Sequence, residues 1–169
     1  MSGETVQLRL AQYEDFEDFL RLKSEANNIY WSGFDDKPNR DNLMCHFVAA
    51  IESQTRTFYL LFEQDQAIGY LYVDYDSELP VAEIAYGISA HQSGRGLAKL
   101  MIEKGLLEVR TGFTTIVAWI AVSNVPSIKS AEALGFQASQ EQEHRTFAQE
   151  SKPVKFCKYV KYFGGEDES

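Results

Sequence analysis

The stretch that most constrains this chain runs over residues 84–100. It reads Ile84-Ala85-Tyr86-Gly87-Ile88, then Ser89-Ala90-His91-Gln92-Ser93-Gly94-Arg95-Gly96, then Leu97-Ala98-Lys99-Leu100. An apolar run, a short polar turn with one basic residue between two glycines, and an apolar-periodic segment predict a buried strand, a tight turn and a helix. Glycine on both sides of Arg95 lets the backbone curl tightly and come close to a ligand. A helix that starts there offers N–H groups without helical partners and the positive end of its dipole.

A pyrophosphate fits such a start, cradled by Gly94, Arg95, Gly96, Leu97, Ala98 and Lys99, with Arg95 adding a charge-assisted bond. The same letters also suit an ordinary strand-to-helix turn. Other phosphate loops fit worse. No GxxxxGK[ST] occurs, and Lys99 stands where GxGxxG needs its third glycine. A second signal, Asn124-Val125-Pro126-Ser127-Ile128-Lys129, closes with Leu134-Gly135-Phe136 and reads as another helix start.

The remaining elements follow from periodicity. Residues 5–10 alternate Val6, Leu8 and Leu10 with polar neighbours, as an edge strand does. Residues 15–26 set Phe16, Phe19, Leu20 and Lys23 at helical spacing on a face that docks on the core. Residues 27–39 read as a loop. Asp41 is a candidate cap for a helix with the stripe Leu43, Met44, Phe47, Val48 and Ile51. A hairpin over 57–74, a strand over 80–89, a helix over 94–110, a strand over 115–122, a short helix over 126–134 and a final hairpin complete the chain. The order β-α-α-β-β-β-α-β-α-β-β predicts an α/β (α+β) fold. Its mixed, mostly antiparallel sheet has about seven strands, with helices on both faces. Residues 1–163 are read as one domain, and 164–169 as a disordered acidic tail.

Charge and cysteine usage narrow the partners. A formal net charge of -9 argues against nucleic acid held by a general basic surface, and weakly favours cationic partners such as amines. Cys45 and Cys157 form no CxxC pair, and no histidines have metal-ligand spacing, so no metal is expected. No apolar run is long enough to span a bilayer and no leader is read, so a cytoplasmic protein without a membrane partner is expected.

With these residues in view, the chain resembles the GNAT superfamily of acyl-CoA-dependent N-acetyltransferases. The family's phosphate pattern, Gln/Arg-x-x-Gly-x-Gly/Ala, falls on Ser93 to Ala98, with Ser93 in place of Gln or Arg. Asn124-x-x-Ser127-x-Lys129 followed by Leu134-Gly135-Phe136 is similar to the branch that includes the ribosomal-protein alanine N-acetyltransferases. The resemblance implies acetyl-CoA as co-substrate, held by the cradle, Ser93, Asn124, Ser127 and Lys129. It also implies central strands that splay apart, so that the pantetheine arm pairs with free backbone groups near Ile88 and Ala90.

An amine must be neutral to attack a thioester, and a lysine-like amine of pKa ~10.4 is about one part in 10³ neutral at pH 7. A general base relieves this. Glu83 is the candidate: it lies inside Val81-Ala82-Glu83-Ile84-Ala85-Tyr86, an otherwise apolar strand that raises a carboxyl pKa. The family base occupies a comparable position. The family's helix tyrosine, which protonates the leaving thiolate, is replaced by Ala131, which leaves Ser127 or Tyr86 as candidate acids. Trp31 and Phe34 lie in a segment that walls the family's acceptor site, and Asp74 is a candidate for attracting a cationic amine. Two functions follow: acetyl transfer to a primary amine of a small molecule or peptide N-terminus, or a non-catalytic CoA-binding module. A homodimer is compatible with either.

Overall fold

A computed structural model describes residues 6–92 and 94–162. Ser93 and the acidic tail therefore lie outside the described residues. Seven strands form one sheet in the order β1-β2-β3-β4-β5-β7-β6. They are β1 (Val6–Leu10), β2 (Arg56–Glu63), β3 (Gln66–Tyr75), β4 (Val81–Ile88), β5 (Thr115–Ala121), β6 (Gln137–Arg145) and β7 (Val154–Tyr162). Among the described residues, only β4 and β5 pair in parallel. Between them the chain crosses over through a helix, as parallel pairing requires. β2 and β3 are joined by Gln64 and Asp65, both at positive φ (53° and 64°), which is the two-residue turn that matches strand twist.

The helices divide between the faces. α1 (Phe16–Lys23), α2 (Ala26–Trp31) and α3 (Arg40–Glu52) precede β2, while α4 (Leu97–Leu106) and α5 (Val125–Ala133) flank β5. The face under α1 and α3 is aromatic: Phe16, Phe19, Phe47, Phe58 and Tyr70 interlock, with the Phe19 and Phe58 ring centroids 5.2 Å apart. Edge-to-face contacts of this kind add to plain area burial. The α4 face is mainly aliphatic, with Met101 and Ile102 packed on Leu71, Ile84, Ile116 and Ile120.

Several local expectations are corrected. Residues 26–31, read mostly as loop, form a helix. Asn39, not Asp41, caps α3, its side-chain oxygen accepting from the Asn42 N–H at 2.9 Å. The helix expected over 94–110 is Leu97–Leu106, and its buried face is Leu97, Met101, Ile102 and Gly105, leaving Leu107 at the surface. Both glycines of the turn adopt left-handed φ, so the helix starts after them and its inward face is set from Leu97. Leu10 is half-exposed because β1 is an edge strand that ends there.

Candidate active site

The parallel register of β4 and β5 runs from Val81↔Thr115 to Ile84↔Ala118 and stops. β4 continues to Ile88 and β5 to Ala121. Among the described residues, β4 therefore has no β5 partner over residues 85–88, while its other edge stays paired to β3 as far as Gly69↔Ile88. This is the expected splay. A cavity of about 510 Å³ opens at the split and reaches both faces of the sheet.

The wall toward α4 and α5 is built on backbone. Gly94 and Gly96 have φ of 84° and 72°, and Gly96 caps α4. A Cβ at either glycine would meet nothing within 4 Å, so the space beside the turn is open. The first helical bond runs from the Leu100 N–H to the Gly96 carbonyl, so the amides of Leu97, Ala98 and Lys99 precede it without helical partners. Gly94, Gly96, Leu97 and Ala98 line the cavity. Asn124 caps α5, its side-chain oxygen accepting from the Ser127 N–H at 3.4 Å, and both side chains line the same wall. An open cradle, free amides and a helix dipole suit a pyrophosphate.

Three side chains expected on this wall have other surroundings. The Arg95 guanidinium donates to both carboxylate oxygens of Glu63, at 2.9 and 2.7 Å, and also to Gln92, so it points along the end of β2. That carboxylate holds its pKa above the usual arginine value. Lys99 lines a separate, smaller depression beside Glu103 and Lys161. Lys129 is exposed and lines neither cavity. Ile88 and Ala90 line the main cavity, and one backbone group of each is already taken. The Ile88 carbonyl accepts from Asn27 Nδ2 at 3.0 Å, and the Ala90 N–H donates to Glu25 at 2.8 Å. The start of α2 is latched onto the end of β4, while the β4 edge toward β5 has no strand partner over residues 85–88 among the described residues.

The opposite wall faces α1 and α2. Alternation along β4 sends Glu83, Ala85 and Gly87 to this side, opposite Asp74, Tyr72 and Tyr70 of β3. The Tyr70 ring and Asn28 Oδ1 fill the space over Gly87, so the trough on this side runs over Ala85, with Glu83 at one end and Tyr70 at the other. Glu83 lines the cavity. Its pKa is raised, first by desolvation and then by the Asp74 carboxylate, with Arg145 and Lys158 pulling the other way. Asp74 does not line the cavity; its carboxylate binds Arg56 at 2.5 and 3.0 Å. Trp31 lines the wall and packs edge-on to Tyr30. Phe34 is 61% exposed and stands outside the cavity, beyond the end of α2.

The two candidate acids are brought together. Tyr86 projects to the α5 side, where its hydroxyl and that of Ser127 share a hydrogen bond at 2.5 Å. Burial pushes the Tyr86 phenol above its ordinary pKa, while the Ser127 contact opposes this. Glu83 and Tyr86 thus stand on opposite faces of one strand, on either side of the split. Sequence reasoning missed Lys23, Asn27, Tyr70, Trp119 and Arg145, all of which line the cavity. Lys23 had a signal: a lysine on the inward face of an amphipathic helix. The others come from separate segments joined only by the fold.

Comparison with known proteins agrees with this geometry. The acetyltransferase (GNAT) domain model matches residues 5–137. No curated protein matches the sequence. Among solved structures, the fold is similar to spermidine N-acetyltransferase from Vibrio cholerae in complex with CoA and spermine. That match has 17% identity and a TM-score of 0.80, over 94% of this chain and 96% of that one. It is similar to ribosomal-protein-alanine N-acetyltransferase from Brucella melitensis, with 14% identity and a TM-score of 0.78, over 93% and 99%. It is also similar to yncA from Salmonella typhimurium with its cofactor acetyl-CoA, with 16% identity and a TM-score of 0.76, over 95% of each chain. With the family model covering most of its length, the split β4–β5 pair and the glycine cradle at α4, the chain belongs to the GNAT family of acetyltransferase domains.

Proposed function

We propose that this domain transfers the acetyl group of acetyl-CoA to a primary amine of a small molecule or a peptide N-terminus. The carrying observation is the position of Glu83 and the Tyr86–Ser127 pair on opposite faces of β4, at the split. The co-substrate supplies its acetyl group as a thioester. The glycine cradle and the first amides of α4 suit its pyrophosphate, and the open β4 edge over residues 85–88 suits its extended arm. The solved relatives named for amine acetylation support an amine acceptor.

Glu83 accepts the proton that the amine must lose, and its raised pKa makes it a stronger base than an ordinary glutamate. The amine nitrogen bonds to the acetyl carbon as the carbon–sulfur bond breaks. The sulfur leaves as a thiolate on the Tyr86 side. With its pKa raised, the Tyr86 phenol stays protonated and offers an O–H to that sulfur. The same shift makes it a poor full proton donor, so its part is a hydrogen bond to the leaving group.

Thiol release from acetyl-CoA over a panel of amines tests this reading. Binding of CoA without thiol release would leave the non-catalytic reading standing. Glu83→Gln should lower turnover by about 10²–10⁴-fold with CoA affinity nearly intact. The base works only when deprotonated, so the wild-type rate should rise with pH through the raised Glu83 pKa, and that limb should vanish in Glu83→Gln. Near-normal turnover of the variant across that range would remove Glu83 from the chemistry.

A further inference from the structure

We infer that the amine acceptor carries a carboxylate as well as its amine, and that Lys23 takes that carboxylate. The inference rests on the acetyl-transfer reading of the same cavity. This chain has 25 acidic and 16 basic residues, yet among the described residues the charged side chains lining the cavity are Lys23, Glu83 and Arg145. Arg145 is answered by Glu143, which is not a lining residue. Lys23 is not answered: among the described residues no carboxylate lies within ion-pair distance of its nitrogen.

Lys23 is held in place by neutral groups. Its Nζ donates to Ser32 Oγ at 2.9 Å and to the Tyr70 hydroxyl at 3.3 Å, and it sits 4.9 Å from the Tyr70 ring centroid. An ammonium has three donors, so one is left for a ligand. The lysine lies one turn after the buried Phe19 on α1. A cation on an inward helix face, half-buried and lacking an anion, implies that the anion arrives with the ligand.

A second unanswered atom lies on the same wall. Asn27 Oδ1 is buried without a hydrogen-bond partner, while its Nδ2 is committed to the Ile88 carbonyl. Its orientation is therefore fixed, and it waits for a donor N–H. The wall thus offers one cationic donor, at Lys23, to a carboxylate, and one neutral acceptor, at Asn27, to an N–H of the same ligand such as a peptide amide. A polyamine would instead bring further positive charge toward Lys23 and Arg145.

Spacing sets the shape of the acceptor. Tyr70 pairs with Gly87, and Glu83 lies four residues back along β4. At ~3.3 Å per residue the main-chain positions at the two ends of the trough are roughly 13 Å apart. The amine and the carboxylate therefore sit at opposite ends of an extended molecule, as in an ω-amino acid or a short peptide.

The test uses ω-amino carboxylates of about four to eight carbons beside their primary amides and the matching diamines. Initial rates of thiol release with acetyl-CoA should favour the carboxylates over the amides by about 10- to 100-fold in kcat/KM, as a charge-assisted bond predicts. Lys23→Met should erase that ratio, Lys23→Arg should retain it, and Lys23→Glu should turn the preference toward diamines. Calorimetric titration of the same compounds into the protein loaded with CoA reads the selectivity as binding, so the inference is decided even without turnover. Wild-type protein that takes diamines or amides as well as carboxylates, or a folded Lys23→Met variant that keeps the ratio, overturns it. Failure of the acetyl-transfer reading looks different: thiol release would be absent for every amine while carboxylate selectivity in binding persists.

Discussion

The two walls of the cavity are made of different material. The wall toward α4 and α5 uses main-chain amides from one continuous turn, Gly94 to Ala98, together with a helix cap at Asn124. The wall toward α1 and α2 uses side chains from separate segments: Lys23, Asn27, Trp31, Tyr70, Glu83 and Arg145. A backbone cradle depends on two backbone conformations and tolerates much change in side chains. A side-chain wall can be rewritten one residue at a time. The first therefore suits a ligand shared by many proteins, and the second suits a ligand particular to one.

The sharpest break of this comparison is at Gly96. Its φ of 72° is one that a β-branched residue rarely adopts, and its Cβ direction is open space. Gly96→Val should cost about 1–3 kcal/mol of stability through backbone strain, leaving a folded domain. Where the side chain fills the cradle, CoA affinity should fall by about 10²-fold or more, since two or more charge-assisted bonds are lost. Calorimetry beside a thermal melt separates the two effects. A folded Gly96→Val with wild-type CoA affinity would mean that the turn is only a connection, and that the distinction between the walls is misdrawn.

Tyr86 tests whether the backbone wall also contributes a side chain to the chemistry. Tyr86→Phe should reduce kcat by about 10-fold, the scale of one hydrogen bond to a developing charge. The deficit should shrink with an acyl donor whose thiol is more acidic, because that sulfur needs less help. Equal deficits with both donors would assign Tyr86 to packing. Ser127→Ala leaves the Tyr86 hydroxyl buried with one partner fewer, so a stability loss of about 1–3 kcal/mol should accompany any rate change.

The same contrast explains what was legible in the sequence. Gly94-Arg95-Gly96 and Asn124-x-x-Ser127 are local patterns whose spacing carries their geometry, and the structure has both helix starts beside the cavity. Glu83 stands out in the sequence because a carboxylate in an apolar strand is a local anomaly, and the structure has it lining the cavity. Side-chain direction within a turn is not local in that sense. Arg95 turns to Glu63, 32 residues away in sequence, and Asp74 turns to Arg56 on the neighbouring strand. The sequence sets Phe34 in a loop expected to wall the site, but residues 26–31 coil into α2, which brings Trp31 to the cavity and carries Phe34 past it. Lys23 appeared among the apolar positions of its helix, and only its neighbours Ser32 and Tyr70 distinguish a binding lysine from a snorkelling one.

The smallest expected effect concerns stability, and it shows which wall is tuned against folding. The folded-state pKa of Glu83 is raised above its unfolded value by burial and by Asp74. The folded state therefore holds this proton more tightly than the unfolded chain does. Stability falls as pH rises from the unfolded carboxylate value through the raised one, and the penalty is complete above both. A glutamine carries no such penalty. Glu83→Gln should therefore melt slightly above wild type at neutral pH, by about 1–2 °C, since a residue partly open to solvent gives on the order of a few tenths of a kcal/mol. The difference should disappear once the pH drops below the ordinary glutamate range, where both proteins carry a neutral side chain. A melt series across that range, beside the rate loss of the same variant, would mark Glu83 as a group held at a cost to stability for its chemistry. A Glu83→Gln variant that melts below wild type at neutral pH would instead make this carboxylate a structural member of its wall.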